Sequence, residues 1–180
     1  DTTTPLGLYA VAKQLTESLT DTLREQHDFQ LTTVRFGSVY GLGERSRGTR
    51  PRVSKVGQFV HEAMHSGQIV LYTPDAQDDW TLASDIGEVI HLMLSADTWQ
   101  HPLYNVASGE VLQDQQIAEA IRDVLPEVAI VHDSVGEASH DRDGYLVSQR
   151  LQNEFGFDAW TPFADGIKDV INETRVELGI

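Results

Sequence analysis

The 180-residue sequence predicts an α/β fold. Three observations carry this. Apolar residues recur at spacings of three and four in several long stretches, as in amphipathic helices. Short β-branched or apolar runs, closed by turn residues, lie between them as strands would. The two kinds of segment alternate from end to end, the pattern of helices packed on strands, and no internal repeat interrupts it.

Residues 8–28 read as a helix. Leu8, Val11, Leu15, Leu19 and Leu23 form one apolar stripe, and Pro5 and Gly7 mark its start. Leu31–Phe36 reads as a strand closed by Gly37. Residues 41–52 are an Arg-rich loop. A second helix spans 54–66, with Val56, Phe59, Val60, Ala63 and Met64 inward and Gly67 as its stop. Ile69–Tyr72 is a short strand. Ser84-Asp85 reads as a helix start, with Asp85 expected as an N-cap and Ile86, Val89, Ile90, Met93 and Leu94 as the buried face. Leu103–Val106 is a strand, 113–124 a helix and Val128–Val131 a strand. Residues 132–144 are a polar Gly/Asp-rich loop, and helices near 147–154 and 163–177 close the chain.

Composition excludes several function classes. The formal charge of −15 disfavours nucleic acid and anionic membranes as partners, since phosphate binding needs a basic surface. The absence of Cys excludes disulfides, thiolate metal sites and a cysteine nucleophile. No apolar run approaches the roughly 18–20 residues that span a bilayer, and no signal peptide is visible, so a cytoplasmic location is expected. Lys is scarce (Lys13, Lys55, Lys168) and Asp outnumbers Glu, a surface suited to solubility in high salt as well as an ordinary acidic one.

Tyr9-Ala-Val-Ala-Lys13 places a phenol and an ammonium one turn apart on a helix, hence on one face. A nearby cation stabilises phenolate, and a tyrosine so placed can exchange a proton with a hydroxyl or carbonyl. By itself the pair equally describes a surface Tyr and Lys.

The surroundings carry a resemblance. Pro5-Leu-Gly-Leu-Tyr9-Ala-Val-Ala-Lys13-Gln-Leu-Thr-Glu17 resembles the active-site helix of the extended short-chain dehydrogenase/reductases, the NAD-dependent epimerase/dehydratase branch. Thr33-Val-Arg35-Phe-Gly-Ser-Val-Tyr40-Gly41 resembles that family's strand ending in Arg-x-x-Asn-x-Tyr-Gly. Gln77-Asp-Asp-Trp80 through Asp85 resembles its Arg-Asp-aromatic block, and Tyr104-Asn-Val-Ala-Ser-Gly109 its later strand and turn. Ser148–Leu151, Glu154–Phe157 and Gly166-Ile look like its closing helices.

The resemblance implies the C-terminal portion of a Rossmann-like parallel sheet plus a small α/β substrate-binding subdomain. Residues 1–52 would be the last part of the dinucleotide-binding fold, and 53–180 mainly the substrate-binding subdomain. It implies Tyr9 as general acid/base. Lys13 would bind the nicotinamide ribose and favour the phenolate, and the backbone of Phe36, Gly37, Ser38 and Val39 would lie beside the nicotinamide. NAD or NADP is the implied cofactor of the intact protein. The family's Gly-rich loop lies near its N-terminus, and Gly41-Leu-Gly43 lacks the third glycine and opens no helix. The chain is therefore expected to be the C-terminal part of such an enzyme, needing a separate N-terminal nucleotide-binding half, with no cofactor expected for this chain alone. The family's habit of dimerising through the Tyr-bearing helix implies a homodimer.

Departures bear on the substrate. Ser38 stands where the family usually has an Asn that contacts substrate. Asp78 stands where nucleotide-sugar members carry an Arg, and a carboxylate cannot replace a guanidinium fork. Another Arg would have to compensate, from Arg45, Arg47, Arg50 and Arg52 in the 41–52 loop or Arg142, or the substrate would be a smaller sugar derivative. Ser38, Arg52, Gln77, Trp80 and Arg142 are the expected contacts to a sugar-type substrate.

A rival motif is His61-Glu62-Ala-Met-His65, which fits the His-Glu-x-x-His pattern of zinc proteases, with Glu88 as a conceivable distal ligand. Gly67 ends that helix two residues later, and the same residues fit an ordinary polar helix face, so no metal is expected. A non-catalytic ligand-binding fragment is the third reading.

Overall fold

A computed structural model describes residues 7–28, 30–44, 53–133 and 145–179. The elements are α1 (Gly7–Gln26), β1 (Thr33–Phe36), β2 (Ser38–Tyr40), α2 (Lys55–Ser66), β3 (Gln68–Leu71), β4 (Gln77–Leu82), α3 (Ala83–Leu94), β5 (Leu103–Val106), β6 (Val111–Gln113), α4 (Asp114–Val124), β7 (Ala129–His132), α5 (Gln149–Phe155) and α6 (Phe163–Leu178). The alternation of helix and strand is the α/β class read from the sequence. The strands β2, β4 and β6 went unforeseen. β2 and β6 are three residues each, and β4 opens on Gln-Asp-Asp with no apolar alternation.

Among the described residues, three small sheets organise the chain. β1 runs parallel to β5, from Thr33 opposite Leu103 to Phe36 opposite Val106. β2 runs parallel to β4, with Ser38 opposite Trp80, and β6 lies antiparallel on the far side of β4. β3 runs parallel to β7. The chain thus leaves one sheet at Phe36 and enters the next at Ser38. Gly37 makes the crossing because a Cβ there would lie 3.0 Å from the Asp79 carbonyl oxygen and 3.3 Å from the Ala107 methyl.

Two apolar clusters form among the described residues. The larger gathers α2, α4 and α6 around β3 and β4, through Val56, Phe59, Ile69, Ile117, Ile121, Phe163 and Ile167. The smaller gathers Val89 and Met93 of α3, Tyr104 and Val106 of β5, and Leu151 of α5. α2 begins on Ser54, whose hydroxyl accepts the Gly57 N–H, and stops at Gly67 in the left-handed conformation, φ 68°.

Two expectations about packing are corrected. Asp85 is not an N-cap. Leu82 holds that position, and the Asp85 carboxylate, buried, accepts the Thr161 N–H (2.7 Å) and hydroxyl (2.9 Å). Leu94 is 70% exposed because it ends α3 beyond the last buried turn at Met93. The apolar stripe of α1 is not a packed face: Leu8, Leu15 and Leu19 stand exposed. The half-buried residues of that helix are Ala10, Glu17, Thr20, Leu23 and Arg24.

Candidate functional site

Glu17 of α1 receives Arg35 of β1 through two hydrogen bonds, Nε to Oε1 at 2.7 Å and Nη2 to Oε2 at 2.5 Å. The bidentate fork is the strong form of this pairing. It holds the Glu17 carboxyl below its ordinary value, chiefly through the hydrogen bond from Arg35. Lys13 lies one turn before Glu17 and Tyr9 one turn before that, so all three share a flank of the helix. The anchored pair therefore sets which way Tyr9 and Lys13 face.

Glu17 lies nine residues before the end of α1 and Arg35 two after the start of β1, and the two side chains are bonded, so the chain doubles back and the elements run in opposite senses. From Glu17 back to Tyr9 is about 12 Å at helical rise. From Arg35 on to Ser38 is about 10 Å of extended backbone. Tyr9 and Lys13 are thus carried to the same end of the molecule as residues 36–39, the C-terminal end of a parallel strand where open α/β sheets bind ligands. Lys13 Nζ stands 5.4 Å from the centroid of the Tyr9 ring. Tyr9, Phe36 and Val39 are all exposed.

Beneath this end lies a woven polar floor. Asp79 of β4, buried, accepts the Gly109 N–H (3.2 Å) and the Leu146 N–H (3.0 Å). Burial pushes its carboxyl up, and those two N–H bonds pull it partly back. Ser108 donates its N–H to the Thr81 hydroxyl oxygen (2.9 Å) and its own hydroxyl to the Trp80 carbonyl (2.8 Å). Ser148 accepts the Ala107 N–H and donates to the Ala107 carbonyl. A cavity of about 300 Å³ opens over this floor, with Ser108, Tyr145, Ser148, Phe157 and Trp160 in its walls.

The sequence-derived substrate residues do not all gather here. Ser38 is half-buried at the start of β2. Gln77 is exposed and opposite Gln113. Trp80 is 5% exposed within the larger apolar cluster. Its position on β4 turns the indole inward, so the expectation that it faces a ligand is corrected. Arg52 and Arg142, with Arg45, Arg47, Arg50 and most of the 132–144 loop, lie outside the described residues. Sequence reasoning missed Thr81, Ser108 and Ser148, whose hydroxyls knit segments far apart in the chain and follow no local pattern.

The rival motif is present on α2, but among the described residues no three His, Cys, Asp or Glu side chains gather as a metal cluster. Glu62 Oε1 accepts from Gln58, its neighbour on the helix.

Among the described residues, no helix is long and apolar enough to cross a membrane. The profile of the NAD dependent epimerase/dehydratase family matches residues 1–107. The UDP-glucose 4-epimerase of Thermotoga maritima, solved with UDP-glucose, superposes with a TM-score of 0.83 at 17% identity, over 97% of this chain and 55% of that one. The UDP-N-acetylglucosamine 4-epimerase of Methanobrevibacter ruminantium, in complex with UDP-N-acetylmuramic acid, gives 0.82 at 16%, over 98% and 56%. The dTDP-glucose 4,6-dehydratase of Bacillus anthracis, in complex with NAD, gives 0.80 at 16%, over 97% and 54%. The fold is therefore that of these enzymes, and the chain spans about half the length of each.

Proposed function

The chain belongs to the NAD dependent epimerase/dehydratase family, and from that premise we propose that it supplies the catalytic helix and substrate-binding part of an NAD- or NADP-dependent enzyme acting on a sugar nucleotide or sugar derivative. One observation carries the reading most. The Tyr9–Lys13 pair rides on a helix whose orientation is locked by Glu17 and Arg35, at the strand end where residues 36–39 lie.

In this reading Tyr9 moves a proton between its phenol oxygen and a substrate hydroxyl. Lys13 stabilises the phenolate and binds a ribose hydroxyl. The exposed apolar surface of Phe36 and Val39, together with the hydroxyl and ammonium donors, suits a flat aromatic ring beside a sugar. The bound dinucleotide supplies the hydride acceptor and donor. Ser38 contacts the substrate in place of the family's usual Asn, and Gln77 with Arg52 and Arg142 provides further polar contacts. Residues 1–52 complete a dinucleotide-binding fold, and β5 returns from the second part to pair with β1. An N-terminal nucleotide-binding half works together with this chain. The exposed Leu8, Leu15 and Leu19 stripe, on the side of α1 opposite Glu17, seats a second copy in a homodimer.

The test is Tyr9→Phe in the intact protein. Turnover should fall about 10²- to 10⁴-fold, the usual worth of a positioned acid/base, with cofactor affinity and circular dichroism unchanged. Full activity in this variant would refute the assignment.

A further inference from the structure

His61 and His65 play no part in the reading above. They stand one turn apart on the exposed face of α2, and their rings stack with centroids 3.8 Å apart and 14° between planes. His65 Nδ1 lies 3.0 Å from the His61 carbonyl oxygen. A carbonyl only accepts, so Nδ1 carries the hydrogen, and in the neutral ring His65 Nε2 keeps its lone pair. Both rings line a cavity of about 430 Å³ between α2 and α6, beside Glu62 and Glu173. Glu62 Oε2 is buried there with no hydrogen-bond partner among the described residues.

We propose that His61 and His65 clamp one borderline divalent cation of the zinc class through their Nε2 atoms, with water completing its shell. Two nitrogens each about 2.05 Å from a tetrahedral ion sit about 3.3–3.4 Å from one another. In the stack the two in-plane lone pairs run nearly parallel, so both exposed side chains must turn out of the stack for their Nε2 atoms to converge on that span. The Nδ1–H to carbonyl bond is the arrangement that commonly orients a metal-bound imidazole. The carboxylates around the cavity raise the local cation concentration, while the imidazoles select zinc-class ions over magnesium or calcium. With no third side chain in the cluster among the described residues, the ion keeps open positions. This separates the site from both a closed structural zinc centre and a protease centre.

The experiment is calorimetric titration of ZnCl2 into the intact protein, free of any polyhistidine tag, in a non-chelating buffer with millimolar Mg²⁺. One saturable event per chain is expected. It should weaken at least tenfold in His61→Gln and in His65→Gln, each with unchanged circular dichroism. Copper(II) electron paramagnetic resonance on the same samples should report two imidazole nitrogens in the native protein and one in each variant. No saturable event, equal affinity in either variant, or displacement by Mg²⁺ would each overturn the proposal. Because the readout is metal binding, it is independent of whether Tyr9 is the acid/base.

Discussion

Arg35 and Glu17 join β1 to α1 through a two-bonded fork, with both side chains about three-quarters withdrawn from water. This is the described attachment between a strand end and the exposed helix that bears Tyr9 and Lys13. Glu17→Gln should cost about 1–2 kcal/mol of stability, because a charged hydrogen-bonded partner is lost. In the intact enzyme kcat should fall more than KM rises, since the helix bearing the acid/base loses its bearing. The pH dependence follows from the lowered Glu17 carboxyl. Its stabilisation is complete above the ordinary value of 4.5 and disappears as pH falls through the lower folded-state value. Urea midpoints of the native protein and the variant should therefore differ near neutrality and converge in acid.

Asp79 should behave in the opposite sense. Burial raises its carboxyl above 3.8, so the folded chain holds this proton more tightly than the unfolded chain does. Its contribution to stability is greatest below 3.8 and declines as pH rises through the raised folded value. Carbon-detected NMR titration of the carboxyl should show the raised midpoint. Asp79→Ala strips the Gly109 and Leu146 N–H groups of their acceptor and should cost about 2–4 kcal/mol, at one to two per group.

Gly166 of α6 faces the Tyr40 hydroxyl so closely that a Cβ would run into it, and both δ-carbons of Leu82 would lie 3.3 Å away. Gly166→Ala should destabilise by about 1–3 kcal/mol through overpacking. Tyr40→Phe removes the obstructing oxygen, which is buried and has no hydrogen-bond partner among the described residues. That change alone should be neutral or mildly stabilising, and it should rescue Gly166→Ala in a double-mutant cycle of thermal midpoints.

The α1 stripe makes a further prediction about assembly. Leu15→Glu with Leu19→Glu should leave helix content unchanged and convert the intact protein from dimer to monomer in light scattering. A dimer that persists would place the interface elsewhere.

Much of this architecture could be read in advance, for identifiable reasons. α2 carries its own start at Ser54, stop at Gly67 and inward face, so periodicity and capping agree. α1 was legible as a helix but not as to which side packs, because its apolar stripe is not the side that meets β1. β4 was hidden because its first three residues are polar. Asp79, the second Asp of that trio, is buried by partners 30 and 67 residues away. For the same reason Asp85 read as a cap when it is a brace to Thr161. The closeness of Tyr9 and Lys13 was legible because it is local, four residues on a helix. Trp80 was misread because its direction depends on which sheet face the core covers.

Asp79 and Asp85 have one more consequence. The two apolar clusters meet along carboxylates, N–H groups and hydroxyls: Asp85 with Thr161, Asp79 with Gly109 and Leu146, and Glu110 with the Phe163 N–H at 2.8 Å. Polar links are short-ranged and directional, whereas apolar contacts tolerate sliding. Such a boundary is a fracture line. Under pulling force or mild denaturant it should part abruptly, releasing the β1–β5 half with α3 and α5 as one cooperative block while the α2–α4–α6 half still holds.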